Sequence, residues 1–422
     1  MHALEKILAQ ASGKKTVTTG EIITAKVDFA EINDLYLQTL YSFKEMGGTK
    51  VWDKERVAFV FDHYAPCPTI ESARNHAKMR SFAKDNDLKY HFDINAGVCH
   101  QVLPEAGLIY PGMIVVMTDS HTTTHGAFGA LGTGIGATDC AAVLIEGKMW
   151  FRVPEIIEVR IEGTLENGVY PKDVILHILG KIKADGAVYK AIDFKGSYVD
   201  NLNIAGRMTI CNMAVEMGAM TAYMQPNEEV LNYVKKRAVK PYKVQYTDAG
   251  YEYLKSYVID ITNLKPQLAC PSSVDNVYPL PEVAAVKIDQ AVIGTCTGGR
   301  VEDFAISAKI LKGKKIPPYL RLIIVPASDE VMRECMDKGY IQCLMEAGAT
   351  IASPGCGPCL GAHDGVMPAG EVCISSSNRN FPGRMGSRES QIYLASPATV
   401  AASALKGFIA DPREFVGKED VE

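Results

Sequence analysis

Short runs of β-branched and apolar residues punctuate this chain. They alternate with longer stretches in which apolar residues recur at helical spacing. Runs at 57–61, 114–118, 291–294, 322–325, 350–352 and 372–375 predict buried strands. Helical spacing predicts helices over 69–85, 301–311, 329–346 and 398–405. Strands that alternate with helices predict an α/β protein built on mostly parallel sheets. There is no low-complexity tract and no short-period repeat.

The residues just beyond each run carry more information than the run itself. The first run leads into Asp62 and His63, the second into Asp119, Ser120 and His121. Residues 291–294 lead into Thr295 and Cys296, and 350–352 into Pro354, Gly355 and Cys356. The last run leads to Asn378 and Arg379. In open α/β sheets ligands bind beyond the carboxyl ends of the strands. Polar or metal-binding groups at five such ends predict one shared functional site.

A length of 422 residues suits two or three domains. Prolines at 154, at 266 and 271, and at 279 and 281 mark soft boundaries. The expected units are 1–154, 155–270 and 271–422. Apolar residues make up 47% and charged residues 22%, which fits a soluble globular protein. The net charge of −5 argues against nucleic acid or an anionic membrane as partner. The basic cluster from Lys312 to Lys315 reads as a solvated loop. No apolar run reaches the length of a membrane span, and the N-terminus lacks a signal-peptide core. A cytoplasmic protein is expected.

The eleven cysteines should then be reduced. Cys67, Cys140, Cys211, Cys335, Cys343 and Cys373 read as small core residues. Cys356 and Cys359 frame a Gly-Pro in a loop that can aim two thiolates at one centre. Alone, that pair suits a zinc knuckle, a redox dithiol or half an iron–sulfur site. The second C-x2-C or paired histidines that zinc would need are missing. Cys296 lies among hydroxyls and glycines able to tune a cluster. Three cysteines without a fourth nearby would leave one iron of a four-iron cluster open, as Lewis-acid catalysis requires.

These motifs resemble the aconitase superfamily, and within it the large subunits of split isopropylmalate isomerases and homoaconitases. The resemblance rests on 97–104 (GVCHQVLP), 119–129 (DSHTTTHGAFG), 209–219 (TICNMAVEMGA), the two cysteine motifs and 378–386 (NRNFPGRMG). It implies three aconitase-type α/β domains around a central [4Fe-4S] cluster held by Cys296, Cys356 and Cys359. It implies acid/His pairs at Asp62 with His63, His100 with Asp119, and His121 with Glu216. Asn212 and Asn378 match positions beside the cluster, and Asn33, Ser120, Arg379 and Arg384 match substrate-contacting positions. A carboxylate beside a histidine fixes its tautomer and favours the charged ring. Such a ring can protonate a departing hydroxyl, and arginines fork onto a dicarboxylic acid. The base that removes the carbon-bound proton is, in the family, a serine on a swivelling domain. In split enzymes that domain is a separate small subunit. The chain stops at Glu422, soon after the third-domain motifs, so a small-subunit partner is expected.

Other residues take plainer assignments. His125 reads as structural, and His76, His91, His177 and His363 as surface or packing residues. The glycines from Gly126 to Gly136 come after a helix start rather than a strand. They read as close packing, not dinucleotide binding. Three departures from the family pattern stand out: Thr295 and Gly298 flank the first cluster cysteine, Thr122-Thr123-Thr124 replaces Thr-Cys-Thr, and Asn33 replaces histidine or glutamine. The expected activity is a reversible dehydration and isomerisation of a 2-hydroxy dicarboxylic acid. Isopropylmalate, in leucine synthesis, is the default substrate; homoaconitate and 2,3-dimethylmalate are the nearest alternatives. A non-catalytic iron-sensing or RNA-binding cluster protein is the reading from another class. The full set of acid/His pairs, both arginines and the acidic charge stand against it.

Overall fold

The computed structural model describes residues 1–283 and 285–417; the last residues of the expected third unit lie outside them. The apolar runs form strands much where the pattern places them, at Val57–Val60, Ile114–Met117, Gln290–Gly294, Arg321–Val325, Thr350–Ile351 and Val372–Ser375. All but the short edge strand Thr350–Ile351 are buried along nearly their whole length on both faces, which is why they read as continuous apolar runs rather than alternating ones.

Three larger sheets organise the molecule. The first orders Tyr90–Phe92, Val57–Val60, Phe29–Asn33, Ile114–Met117 and Leu131–Gly134, all parallel. Its register pairs Asn33 with Val60 and Glu31 with Met117, so three strands end at one edge. Asp34, Asp62 and Asp119 lie just past those ends. The second orders Thr221–Tyr223, Ala191–Lys195, Ile156–Glu162 and Lys255–Asp260, also parallel. The third has seven strands; Gln391–Leu394, Val372–Ser375, Gln290–Gly294, Arg321–Val325 and Thr350–Ile351 pair in parallel. Gln267–Ala269 and Val277–Pro279 close one edge antiparallel. A ribbon of Ile22–Lys26 and Lys148–Arg152 completes the set. One continuous apolar core runs between the sheets, from Phe29 and Val115 through Ile178 and Phe194 to Val325 and Leu394.

The helices obey their caps. Thr69 accepts from the Ser72 N–H and opens Ile70–Asp85. The stretch 329–346 is two helices rather than one, Asp329–Asp337 and Tyr340–Ala347. Gly339 between them takes φ +74°, a left-handed conformation that only glycine adopts freely. The cysteine expectation needs a similar correction. Cys140, Cys211, Cys335 and Cys373 are buried, but Cys67 and Cys343 are only half-buried. No helix of the described residues is long and apolar enough to cross a membrane.

Candidate active site

Two loops after strands of the third sheet carry the cysteines. Gly294 ends Gln290–Gly294, and Thr295 turns the chain with φ +69° so that Cys296 opens a short helix. A β-branched residue there costs on the order of 1–3 kcal/mol and persists only where its surroundings demand it. Arg300, fully buried, ties this loop down by donating to the Cys296 carbonyl (2.6 Å), the Thr209 hydroxyl (3.1 Å) and the Gln101 side chain (3.2 Å). The second loop is fixed to the first sheet, because the Cys356 N–H donates to the Asp62 carbonyl at 2.7 Å.

The three sulfurs share partners. The Asn378 amide donates to Cys296 Sγ at 3.3 Å, and its oxygen lies 3.6 Å from Cys359 Sγ. Arg384 Nη2 donates to Cys359 Sγ at 3.3 Å. The Cys356 thiol donates to Cys359, which holds Cys359 well below its ordinary range and Cys356 well above. Burial, then the charge of Cys359, pushes Cys296 up to about 11. Asn212 stands behind, bonded to Asn378, Thr124 and Thr297. An iron–sulfur cluster fits this donor set. Two buried donors beside the thiols, the Thr295 hydroxyl and Arg384 Nε, have no acceptor among the described residues. Sulfide or substrate oxygen would satisfy them.

The acid/His pairs meet beyond the strand ends of the first sheet, with Glu216 reaching in from beside Thr221–Tyr223 of the second. His63 Nδ1 lies 2.6 Å from Asp62 Oδ1, and its Nε2 lies 3.5 Å from Asp119 Oδ2. His100 Nε2 bonds Asp119 Oδ1 at 2.8 Å, and the His121 N–H donates to the same oxygen at 2.7 Å. His121 Nε2 bonds Glu216 Oε1 at 2.7 Å. That oxygen also accepts Arg379 Nε at 2.8 Å, while Arg379 Nη2 donates to Ser120 Oγ at 2.9 Å. Burial opposes ionisation throughout, but the partners prevail. The His63 ring is pushed well above its usual value by Asp62 and Asp34. Asp119 is held well below by His100 and His121, and Glu216 is lowered chiefly by His121.

Most of the sequence candidates thus converge. Asn33 has both ends of its amide engaged. It is fully buried, its amide donates to the Thr118 carbonyl (3.4 Å), and its oxygen accepts the Leu35 N–H (3.2 Å). His125 is buried and pressed against His100, with ring centroids 5.7 Å apart, and burial keeps it neutral. His363 and His76 are buried rather than superficial, on the His63 carbonyl (2.5 Å) and Asp34 Oδ2 (3.0 Å) respectively. The glycines pack closely as expected: a Cβ on Gly126 would lie 2.2 Å from the Ala222 carbonyl oxygen, and one on Gly134 2.5 Å from that of Asp119. Gly298 has a similar cause, since a Cβ there would meet Ser376 Oγ at 2.5 Å.

Several functional residues carry no sequence signal of their own. Asp34 gathers the N–H groups of Asp62 (3.3 Å), His63 (3.0 Å) and Tyr64 (2.7 Å), which fixes the loop carrying His63. Asp34, Asp62 and His63 place donor atoms within 4.8 Å of one another. Their oxygens are committed to N–H groups, so the trio holds protons rather than a cation. Lys172, fully buried, donates to the Ser376 (3.1 Å) and Ser377 (2.6 Å) carbonyls beneath Asn378, and burial pulls it down to about 7. Glu31 is buried without a hydrogen-bond partner among the described residues. Burial and the Asp62 and Asp119 charges keep it neutral. None of these sits in a motif with distinctive spacing; only their polarity amid apolar runs marks them.

Residues 38–407 match the family model described as aconitase family (aconitate hydratase). The chain is 48% identical over 413 residues to 3-isopropylmalate dehydratase large subunit 1 of Methanopyrus kandleri, covering 98% of this chain and 99% of that one. It is 47% identical over 422 residues to a probable methanogen homoaconitase large subunit of Methanothermobacter thermautotrophicus, with 99% of each chain covered. Among solved structures, the holo-form of Thermococcus kodakaraensis aconitase X superposes with a TM-score of 0.51 at 13% identity, covering 85% of this chain and 84% of that one. At that identity the last match speaks for the fold alone.

Proposed function

The chain belongs to the aconitase family, a family of hydro-lyases, and from that premise we propose that it is the large subunit of an isopropylmalate dehydratase. The observation that carries the reading is the meeting of three thiols with three acid/His pairs and two arginines at one site. Cys296, Cys356 and Cys359 would hold one [4Fe-4S] cluster. When bound, that cluster would supply Lewis-acid chemistry toward a hydroxyl and carboxylate.

The chain's own residues do the rest. His63, kept protonated by Asp62 and Asp34, gives its proton to the departing hydroxyl. Asp119 holds His100 and the His121 backbone in register. Arg379, anchored by Glu216 and Ser120, and Arg384 bind the carboxylates of a 2-hydroxy diacid. Among the described residues, no serine stands free beside these groups as a base for the carbon-bound proton. Ser120 is committed to Arg379 and His121. The base is assigned to a swivelling domain on a small subunit, and the "large subunit" names of the relatives support such a partner. Three units, at 1–154, 155–270 and 271–422, and a cytoplasmic location complete the proposal; the separate spans of the three sheets support the first.

Homoaconitase is the second reading, favoured by the 47% match. A panel of 2-hydroxy di- and tricarboxylic acids separates the two. The chain, reconstituted with cluster and small subunit, should dehydrate 3-isopropylmalate with a kcat/KM at least about tenfold above homocitrate-type substrates, which add a carboxylate, and above 2,3-dimethylmalate, which lacks part of the apolar group. A preference for the homocitrate type would transfer the assignment, and inertness toward the whole panel would end it.

A further inference from the structure

One chain of groups runs from the surface to Asp34, and its outer members, Cys67 and His76, take no part in the dehydration chemistry. Cys67 Sγ lies 3.0 Å from His76 Nδ1, and His76 Nε2 lies 3.0 Å from Asp34 Oδ2. Hydrogen bonds hold Asp34 far below its ordinary range, so it accepts the Nε2 proton. That fixes the tautomer of His76 and leaves the Nδ1 lone pair facing the Cys67 thiol. Nucleophile, base and orienting carboxylate in that order form the arrangement that activates a thiol. His76 is fully buried and tilted against the Phe61 ring, with centroids 4.2 Å apart, so it cannot swing away. Cys67 is half-buried, in a loop whose neighbours Pro66, Pro68, Thr69 and Ile70 are exposed.

We propose that Cys67 is a reactive thiol, a site of exchange with low-molecular-weight disulfides, and that its modification is felt at His63 through Asp34. The exchange balances. The Cys67 proton passes to His76 Nδ1, and the sulfur attacks one sulfur of the disulfide. A new S–S bond forms as the old one breaks, and the leaving thiolate recovers the proton from His76. One disulfide and one thiol enter; one mixed disulfide and one thiol remain.

The electrostatics explain why the base is needed. Burial raises the Cys67 thiol, the Ser72 hydroxyl and the Arg80 guanidinium lower it, and the Asp34 and Asp93 carboxylates raise it again. His91 is a further titratable group near His76. Left to itself the thiol would be sluggish; the aimed imidazole offsets that. The coupling is geometric. The oxygen of Asp34 that receives His76 also receives the Tyr64 N–H, and its other oxygen holds the Asp62 and His63 N–H groups. An adduct on Cys67 removes the thiol from His76 and adds bulk three residues beyond Tyr64.

The holoenzyme with its small subunit, kept anaerobic, is exposed to oxidised glutathione and mapped by peptide mass spectrometry. Cys67 should form the mixed disulfide about tenfold faster than the equally half-buried Cys270 and Cys343. Hydro-lyase activity should fall in step and return with reductant. Cys67→Ser should keep its activity and resist inactivation, and His76→Gln should slow modification of Cys67 to the rate of the comparison thiols. Should His76→Gln fail to fold, the pH profile of the native protein decides: a rate that levels off near neutrality supports the relay. A rate still rising steeply into the alkaline range overturns it. Equal reactivity of Cys67 and the comparison thiols, or unaltered activity after complete modification, would also overturn the proposal. Its effect on activity rests on the hydro-lyase reading, but the mass readout does not, so the two fail separately.

Discussion

A single oxygen, Glu216 Oε1, bonds both the His121 ring and the Arg379 guanidinium, from which the proposed function needs proton handling and carboxylate binding. Glu216→Gln keeps an acceptor in place but removes the charge that faces the His121 ring and anchors Arg379. The expected result is a kcat/KM lower by about 10²–10³, with most of the loss in kcat. A variant within threefold of the native enzyme would remove Glu216 from the site's working parts. At this scale the sequence was informative about side chains that come after strand ends, such as Asp62, His63, Asp119 and Cys296. Their position after an apolar run is itself the signal. It was silent on Asp34, His76, Lys172 and Glu31, whose roles lie in burial and in backbone contacts that no local pattern encodes. Asn33 stands at a suggestive position, and the partners of its side chain, the Thr118 carbonyl and the Leu35 N–H, were equally hidden in the sequence.

Among the elements, the helix Cys99–Glu105 links the first sheet to the third. Glu105 at its end accepts from the Ser328 hydroxyl (2.8 Å) and Gln101 (2.7 Å), and Ser328 caps Asp329–Asp337. Burial raises Glu105 from 4.5 to about 7. Below 4.5 both folded and unfolded chains hold the proton and the group is neutral to stability. Above 4.5 the unfolded chain ionises first, so stability falls as pH rises and levels off beyond about 7. Glu105→Gln keeps both hydrogen bonds without that penalty. Its stability gain over the native chain should therefore be larger at pH 8 than at pH 5, by on the order of 2 kcal/mol in denaturant titrations. An equal or smaller gain at pH 8 would contradict the linkage. Element types were legible where apolar runs are continuous, as in the first and third sheets. The second sheet was obscured because Ile156–Glu162 carries Glu158 and Arg160, which pair with each other at 2.7 Å. The break at Gly339 was hidden by apolar spacing that continues on both sides of it.

Across the whole molecule, the site belongs to no single sheet. The first contributes Asp62, His63 and Asp119, the second region Asn212 and Glu216, and the third all three cysteines with Asn378, Arg379 and Arg384. Tethers such as the Cys356 N–H on the Asp62 carbonyl hold these parts in one register. The sequence could suggest that these groups cooperate, but not that Arg384 and Asn378 bond the thiols directly. The central claim is that dehydration depends on a cluster held by three cysteines. The most direct measurement compares cluster absorbance and alkylmalate dehydration in the native chain and Cys359→Ser, each reconstituted with iron, sulfide and the small subunit. The account predicts activity proportional to cluster content in the native chain, and loss of both in the variant. A variant that keeps its cluster, or dehydrates without one, would contradict it.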